Sequence, residues 1–117
     1  MEIPDDLKER LGPKEEVQLY VKEKVFHPAM DIDSVAITNE KVILRHPHSL
    51  GLVDDYSELS YQDIAEVFLD KGLTRSTVRF RLKLGGDTME LRDLSNADAE
   101  TAYDIILGNL NKSQASP

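Results

Sequence analysis

The chain has 117 residues and a formal net charge of −8, enough for about one domain with a core that needs no covalent staples. It contains no cysteine, which excludes disulfides and thiolate metal sites. The acidic balance disfavours nonspecific attraction to nucleic acid or anionic lipid, and no apolar stretch approaches the ~18 residues of a membrane span.

The first residues, Met1-Glu2-Ile3-Pro4-Asp5-Asp6, are acidic and lack the basic and apolar regions of a signal peptide; a cytoplasmic protein is expected. Residues 5–11 predict a short helix, begun near Pro4 and ended by Gly12-Pro13. Ile3, Leu7 and Leu11 recur every four residues, so one face can dock on the body. Residues 16–26 predict a strand with Val17, Leu19, Val21 and Val25 on one face. Glu23 interrupts that face as a rim residue or bulge, and His27-Pro28 stops the strand.

Residues 34–38 and 41–45 predict two short strands around the turn Asn39-Glu40. Residues 47–53 read as a loop containing Gly51. Strands follow at 56–59 and 64–69. The cleanest alternation in the chain lies at 75–84: Val78, Phe80, Leu82 and Leu84 fall on one face, and Arg75, Thr77, Arg79, Arg81 and Lys83 on the other. Because successive strand side chains point to opposite faces, this is a half-buried antiparallel strand with a basic wet side. Gly85-Gly86-Asp87 turns into a seventh strand at 88–92.

The period then changes. Ser95 is an N-cap with Asp98 three residues on, an acidic variant of the capping box. Ala102, Ile105, Ile106 and Leu110 lie at helical spacing, flanked by Ala99 and Tyr103. A helix is predicted over 96–110. The expected architecture is mainly β with a C-terminal helix, a seven-stranded antiparallel barrel capped by that helix, plus the short N-terminal one. One domain over residues 1–112 and a disordered tail at 113–117 are expected.

Element order and local sequence together resemble the pleckstrin-homology (PH) fold. Ala36-Ile37-Thr38-Asn39-Glu40-Lys41-Val42-Ile43-Leu44 resembles the "apolar-Thr-x-x-basic-apolar" hairpin of prokaryotic PH-like domains. The stretch from Tyr56 through Tyr61 to Asp63-Ile64-Ala65-Glu66-Val67 resembles their following strand pair, with its tyrosine and "Asp-Ile-x-x-Val". The resemblance spans roughly residues 15–110. Phosphoinositide-binding eukaryotic members place basic residues at the end of the first strand and along the second. Lys22 and Lys24 match the first part; the loop 27–33 is acidic instead, and residues 34–38 hold no base.

Residues 71–83 hold five bases and no acid, whereas 87–104 hold six acids and one base. The candidate partner-binding residues are therefore Lys71, Arg75, Arg79, Arg81 and Lys83, with Phe68 turned outward beside the arginines by its strand parity. The competing reading of this face is cross-strand pairing with Glu66, Asp70 and Glu90. Leu50, Leu52 and Val53 place apolar residues in a loop, either over the barrel mouth or at a partner contact. His46-Pro47-His48 with His27 falls short of the three or four tetrahedral ligands that zinc requires. Ser49 lacks a nucleophile-elbow context, and Gly85-Gly86-Asp87 precedes a strand where a phosphate loop needs a helix. No catalysis, cofactor or metal is expected.

The reading is a non-catalytic interaction module for protein–protein contact or self-association. The alternative is a peripheral module that takes anionic lipid or phosphate through residues 71–83. A homo-oligomer is expected, from apolar loop contacts oriented by the basic strand face and the acidic C-terminal segment.

Overall fold

The computed structural model describes residues 3–21, 25–27, 30–32, 34–47, 54–85 and 88–115. In chain order the elements are α1 (Asp5–Lys8), β1 (Val17–Val21), β2 (Val25–His27), β3 (Met30–Ile32), β4 (Ser34–Thr38), β5 (Lys41–Pro47) and β6 (Asp54–Ser60). A 3-10 turn (Tyr61–Asp63) leads to β7 (Ile64–Lys71), β8 (Arg75–Leu82), β9 (Thr88–Ser95) and α2 (Asn96–Ala115). Seven of these strands make two antiparallel sheets, ordered β1-β4-β5-β6 and β7-β8-β9. β2 and β3 form a separate small hairpin leaning on β9 and β5. The two sheets are not joined into a closed barrel, and α2 packs on strands of both.

The main core lies between the sheets and under α2. Val35, Ile37, Val42 and Leu44 come from the first sheet, and Ile64, Val78, Phe80 and Leu91 from the second. Ala99, Ala102, Ile106 and Leu110 come from the helix. The helix opens as its sequence dictates: Ser95 Oγ accepts a hydrogen bond from the Asp98 backbone N–H at 3.2 Å. Its stripe is rotated slightly from the expected one. Ile106 and Ala99 are fully buried, while Ile105 is only half-buried at the flank. The helix also runs to Ala115, beyond the predicted end and into the stretch read as a tail.

The centre of the first sheet is buried on both faces. All five residues of β4 are buried, because Ala36 and Ile43 on its outer side are covered by Leu7 of α1. Ile3 and Leu11 pack around them, as their four-residue spacing predicts. A helix of four residues has no stability of its own; this one is held by docking. Asp6 accepts from Tyr56 Oη at 2.8 Å, and Arg10 lies 4.6 Å from the Tyr56 ring centroid.

Three bulges separate the observed strands from the simple alternation of the sequence. In β1 the register shifts between Val17 and Leu19, so Val17 and Tyr20 pack toward Leu7 while Leu19 and Val21 face the main core. The sequence pattern had put Val17 with Leu19 and Val21. In β7 the shift falls at Ala65, which lets Ile64 and Val67 both point inward. In β9 two residues, Arg92 and Asp93, oppose one on β8. Asp93 adopts φ 60°, a left-handed conformation that Asp tolerates better than most residues. The strand therefore continues past Arg92 to bury Leu94. Two further expectations change: the first strand is split, its second part pairing in the β2-β3 hairpin, and Leu84 lies beyond the end of β8, almost fully exposed.

Ile106→Ala should cost about 2–5 kcal/mol by opening a cavity at the helix–sheet junction, and Ile106→Asp should abolish the cooperative melt by burying an unpaired charge. Thermal denaturation followed by circular dichroism should show a clearly smaller loss for Ile105→Ala, since that side chain is already partly in water.

Candidate functional site

The outer face of the second sheet carries four of the eight residues singled out in the sequence: Phe68, Arg75, Arg79 and Arg81. On β8, Arg79 stacks 4.5 Å from the Phe68 ring centroid and donates from Nε to Asp70 Oδ2 at 3.2 Å. Arg81 pairs with Glu66. The cross-strand register explains both contacts, because Phe68 lies opposite Arg79 and Glu66 opposite Arg81. Arg75, near the start of β8, donates from Nη1 to the Asp93 carbonyl at 3.2 Å. Phe68, Arg79 and Arg81 remain partly exposed, so the face presents an aromatic ring under a guanidinium, flanked by ion pairs.

Lys71 does not join this cluster. It stands opposite Ser76, whose side chain is on the helix side of the sheet, and it pairs with Glu100 of α2. Lys83 is exposed beyond the end of β8, where its backbone N–H donates to the Asp63 carbonyl at 2.9 Å. Leu50 and Leu52 lie outside the described residues, as do Val53 and the side chains of His27, His46 and His48. Glu90, an expected partner of the arginines, is bonded by Arg92 at 2.5 Å.

The turn between β7 and β8 is tightly built. The Gly72 N–H donates to the Arg75 carbonyl at 2.9 Å, and a Cβ on Gly72 would sit 2.5 Å from that oxygen. Asn96 at the start of α2 donates to the Leu73 carbonyl at 3.2 Å and accepts from Ser76 Oγ at 2.5 Å. Leu73 at the tip is fully exposed.

A second constellation, not legible as a site in the sequence, converges on Thr38. Its hydroxyl donates to Glu15 Oε2 at 2.6 Å and accepts from the Glu40 and Lys41 N–H groups at 3.0 and 2.9 Å. Its carbonyl accepts from Tyr61 Oη at 2.6 Å and from Asn109 Nδ2 at 3.2 Å. Asn109 also reaches Gln18 Oε1 at 2.9 Å and Tyr61 Oη at 3.1 Å. Glu15 is capped by the Gly12 N–H at 2.9 Å and by Lys41 Nζ at 3.2 Å, and Lys41 bridges on to Glu58 at 2.7 Å. Thr38 and Lys41 of the Thr-x-x-basic turn thus clamp one buried carboxylate.

Burial alone would raise the Glu15 carboxyl, but the bonds from Thr38, Gly12 and Lys41 outweigh it and hold its pKa below the ordinary value. Lys41 is raised, chiefly by its hydrogen bond to Glu58. Burial pushes the Tyr61 hydroxyl up to about 12, so it stays a donor. Beside this node an open hollow of about 400 Å³ is lined by Asn39, Glu40, Tyr61, Gln62, Asn109 and Lys112, among others. The node's bonds are all internal to the fold, and its chemistry is that of a structural clamp. Among the described residues no group of three or more His, Asp or Glu is placed to hold a metal ion.

Residues 11–107 match the family model of the bacterial PH domain, and the chain belongs to that family. Among solved structures it is similar to a DUF1696-family protein with a pleckstrin-homology domain from Shewanella loihica, at TM-score 0.69 and 15% identity over 90% of this chain and 87% of that one. The Vps36 N-terminal PH domain matches at TM-score 0.68 and 12% identity, covering 91% and 86%. The hSac2 domain from human phosphoinositide phosphatase Sac2 matches at TM-score 0.57 and 15% identity, covering 95% and 79%. At these identities the likeness is one of fold. No curated protein matches the sequence.

The clamp generates a pH prediction. A carboxyl whose pKa is lower folded than unfolded adds stability above the unfolded value near ~4.3, and loses it as pH falls through the folded value. Glu15→Gln should therefore lower stability near neutral pH, by about 1–3 kcal/mol for the weakened bonds to Thr38, Gly12 and Lys41, since Lys41 keeps Glu58 as a partner. The gap from wild type should narrow steadily as acid is added below pH ~4. Urea melts across that range check both the size and the sign.

Proposed function

We propose that this chain is a non-catalytic interaction module that binds protein through the outer face of its second sheet. Membership of the bacterial PH-domain family supports an interaction module, and since one fold hosts many functions the site must decide the ligand. The observation that carries the reading is Arg79, stacked on Phe68 and bonded to Asp70 on an exposed sheet face. Aromatic rings and arginines held in place are the residues that dominate protein–protein contacts. A guanidinium fixed by a ring and a carboxylate loses little further freedom on binding.

The anionic-lipid alternative needs cations that converge on one phosphate. Instead Arg79 and Arg81 are neutralised by Asp70 and Glu66, and Lys71 is drawn to the helix side by Glu100. A headgroup would have to displace these carboxylates against a net charge of −8. No helix among the described residues is long and apolar enough to cross a membrane. The partner is another polypeptide or a second copy of the chain, and sedimentation velocity of the wild type at micromolar concentration separates the two.

The test uses the full chain as bait in cytoplasmic extract of its native host, with Phe68→Ala and Arg79→Glu as folded surface variants. Each should weaken capture of the specific partner roughly thirtyfold, equivalent to about 2 kcal/mol, with little change in melting temperature. Phosphatidylcholine vesicles carrying phosphatidylserine should not bring the chain down at ~0.15 M salt, where exposed charges are screened beyond about 8 Å. Robust co-sedimentation that Arg79→Glu abolishes would replace the protein reading with the lipid one.

A further inference from the structure

The outer face of the first sheet carries a row of side chains set directly across its four strands. Tyr20 of β1, Ala36 of β4, Ile43 of β5 and Glu58 of β6 are register neighbours. Ala36 has the smallest side chain of the four, and Leu7 of α1 is buried against it and against Ile43. Tyr56, two residues before Glu58 and so on the same face of β6, borders this cluster. The cluster is separate from the main core, which lies on the other side of the sheet.

Residues 3–11 lie on this row as a ligand lies on a site. Among the described residues no backbone hydrogen bond ties them to the sheet; their backbone bonds are internal, running from the Pro4 carbonyl onward to the Leu11 N–H. Side chains hold the segment instead. Leu7 is at its centre, with Ile3 and Leu11 partly buried on either side. Asp6 accepts from Tyr56 Oη at 2.8 Å, and Arg10 lies over the Tyr56 ring and 3.6 Å from Glu58. Burial pushes the Tyr56 hydroxyl up to about 12, with Asp6 adding to the shift, so it stays a donor at neutral pH. One fully buried leucine is set against the ordering of the whole segment, and a four-residue helix adds no stability of its own. Its cover is also incomplete, because Val17, Tyr20 and Tyr56 stay partly exposed around it.

We propose that α1 is an internal stand-in for a partner, and that the row Tyr20, Ala36, Ile43 and Glu58 is a docking site for an amphipathic helix of another protein. The chain's own occupant defines what that helix carries. It has aliphatic residues four apart, a carboxylate just before the central one for Tyr56, and an arginine three residues after it for Tyr56 and Glu58. A helix of several turns is already nucleated where α1 is not, and it covers the apolar edges that α1 leaves open. A second copy brings only the same short segment, which the tethered one outcompetes through its high effective concentration. The site is on the other sheet from Arg79, so it goes beyond the outer-face reading and does not depend on it.

The probe is a labelled synthetic peptide of about four turns that carries the pattern of residues 3–11 in an alanine-rich helix, titrated into the full chain. Leu7→Ser and Arg10→Ala loosen the internal occupant. Each should bind the peptide roughly tenfold tighter than wild type, because apparent affinity scales with the fraction of chains whose site is open. Melting curves establish that both variants are folded; if Leu7→Ser is not, Arg10→Ala carries the comparison. Replacing the peptide's arginine and carboxylate by alanine should weaken binding roughly tenfold, and Arg79→Glu in the chain should leave it unchanged. Native-state amide exchange should show Lys8 to Leu11 exchanging roughly a hundredfold or more faster than Ile37 and Ile43, by local opening of the segment. Exchange of residues 8–11 only on global unfolding, no peptide binding to either folded variant, or equal affinity for wild type and variants would overturn the proposal. Dimerisation of the wild type that Leu7→Ser abolishes would put a second copy's segment in the site and overturn the choice of partner.

Discussion

Thr38 stands where four parts of the chain meet, and the arrangement of the two sheets depends on satisfying it. Sheets that splay instead of closing bury polar backbone at their corner, and buried carbonyls need donors. Here the end of β4 supplies a hydroxyl and a carbonyl, and their partners come from the N-terminal segment, the 3-10 turn and the far end of α2. Removing a single partner leaves the others desolvated, which costs about 1–3 kcal/mol per group. The Ser95 cap fixes the start of the helix and Asn109 its later turns, and that sets which of its residues face the core. Ile106 is buried and Ile105 is left at the flank for this reason.

The same placement divides the surfaces by role. α1 covers the centre of the first sheet's outer face through Leu7, which packs on Ala36 and Ile43. The second sheet has α2 on one side only. Its other side carries the arginines, Phe68 and their carboxylates, and its edge strand borders the helix across a shallow hollow lined by both polar and apolar residues. The candidate binding surface left open is therefore the partly exposed outer face around Phe68 and Arg79. Ion pairing here is not primarily a source of stability, since exposed pairs contribute little. Its effect is orientation, holding Arg79 over the Phe68 ring.

Much of this was legible in the sequence. The alternation at 75–84 fixed β8 with its buried Val78 and Phe80, and the parity of Val67 and Leu69 put Phe68 outward beside the arginines. The Ser95 cap and the helical spacing that follows fixed α2, and the four-residue repeat of Ile3, Leu7 and Leu11 fixed the docking face of the N-terminal segment. Two of the errors share one cause. A bulge inserts a residue and reverses parity downstream, so alternation misassigned Val17 and ended β9 too early. The only local signals were the three-residue steps from Ile64 to Val67 and from Leu91 to Leu94, with Asp93 able to take a left-handed turn. Lys71 was misplaced by adjacency: five bases close in sequence looked like one patch, but Lys71 falls on the helix side of the strand.

What the sequence determined by itself was the set of elements, because strand alternation, turn residues and helix caps act over a few residues and leave local traces. What only the tertiary structure decided were contacts between residues far apart in the chain. Glu15 and Thr38 are 23 positions apart, and Asn109 and Gln18 are 91. No local pattern announces that a glutamate will be buried against a threonine and a lysine, or that an asparagine near the end of a helix will close a corner begun at β1. Those pairings arise from how two sheets and a helix share one core, and packing, unlike propensity, is a property of the whole chain.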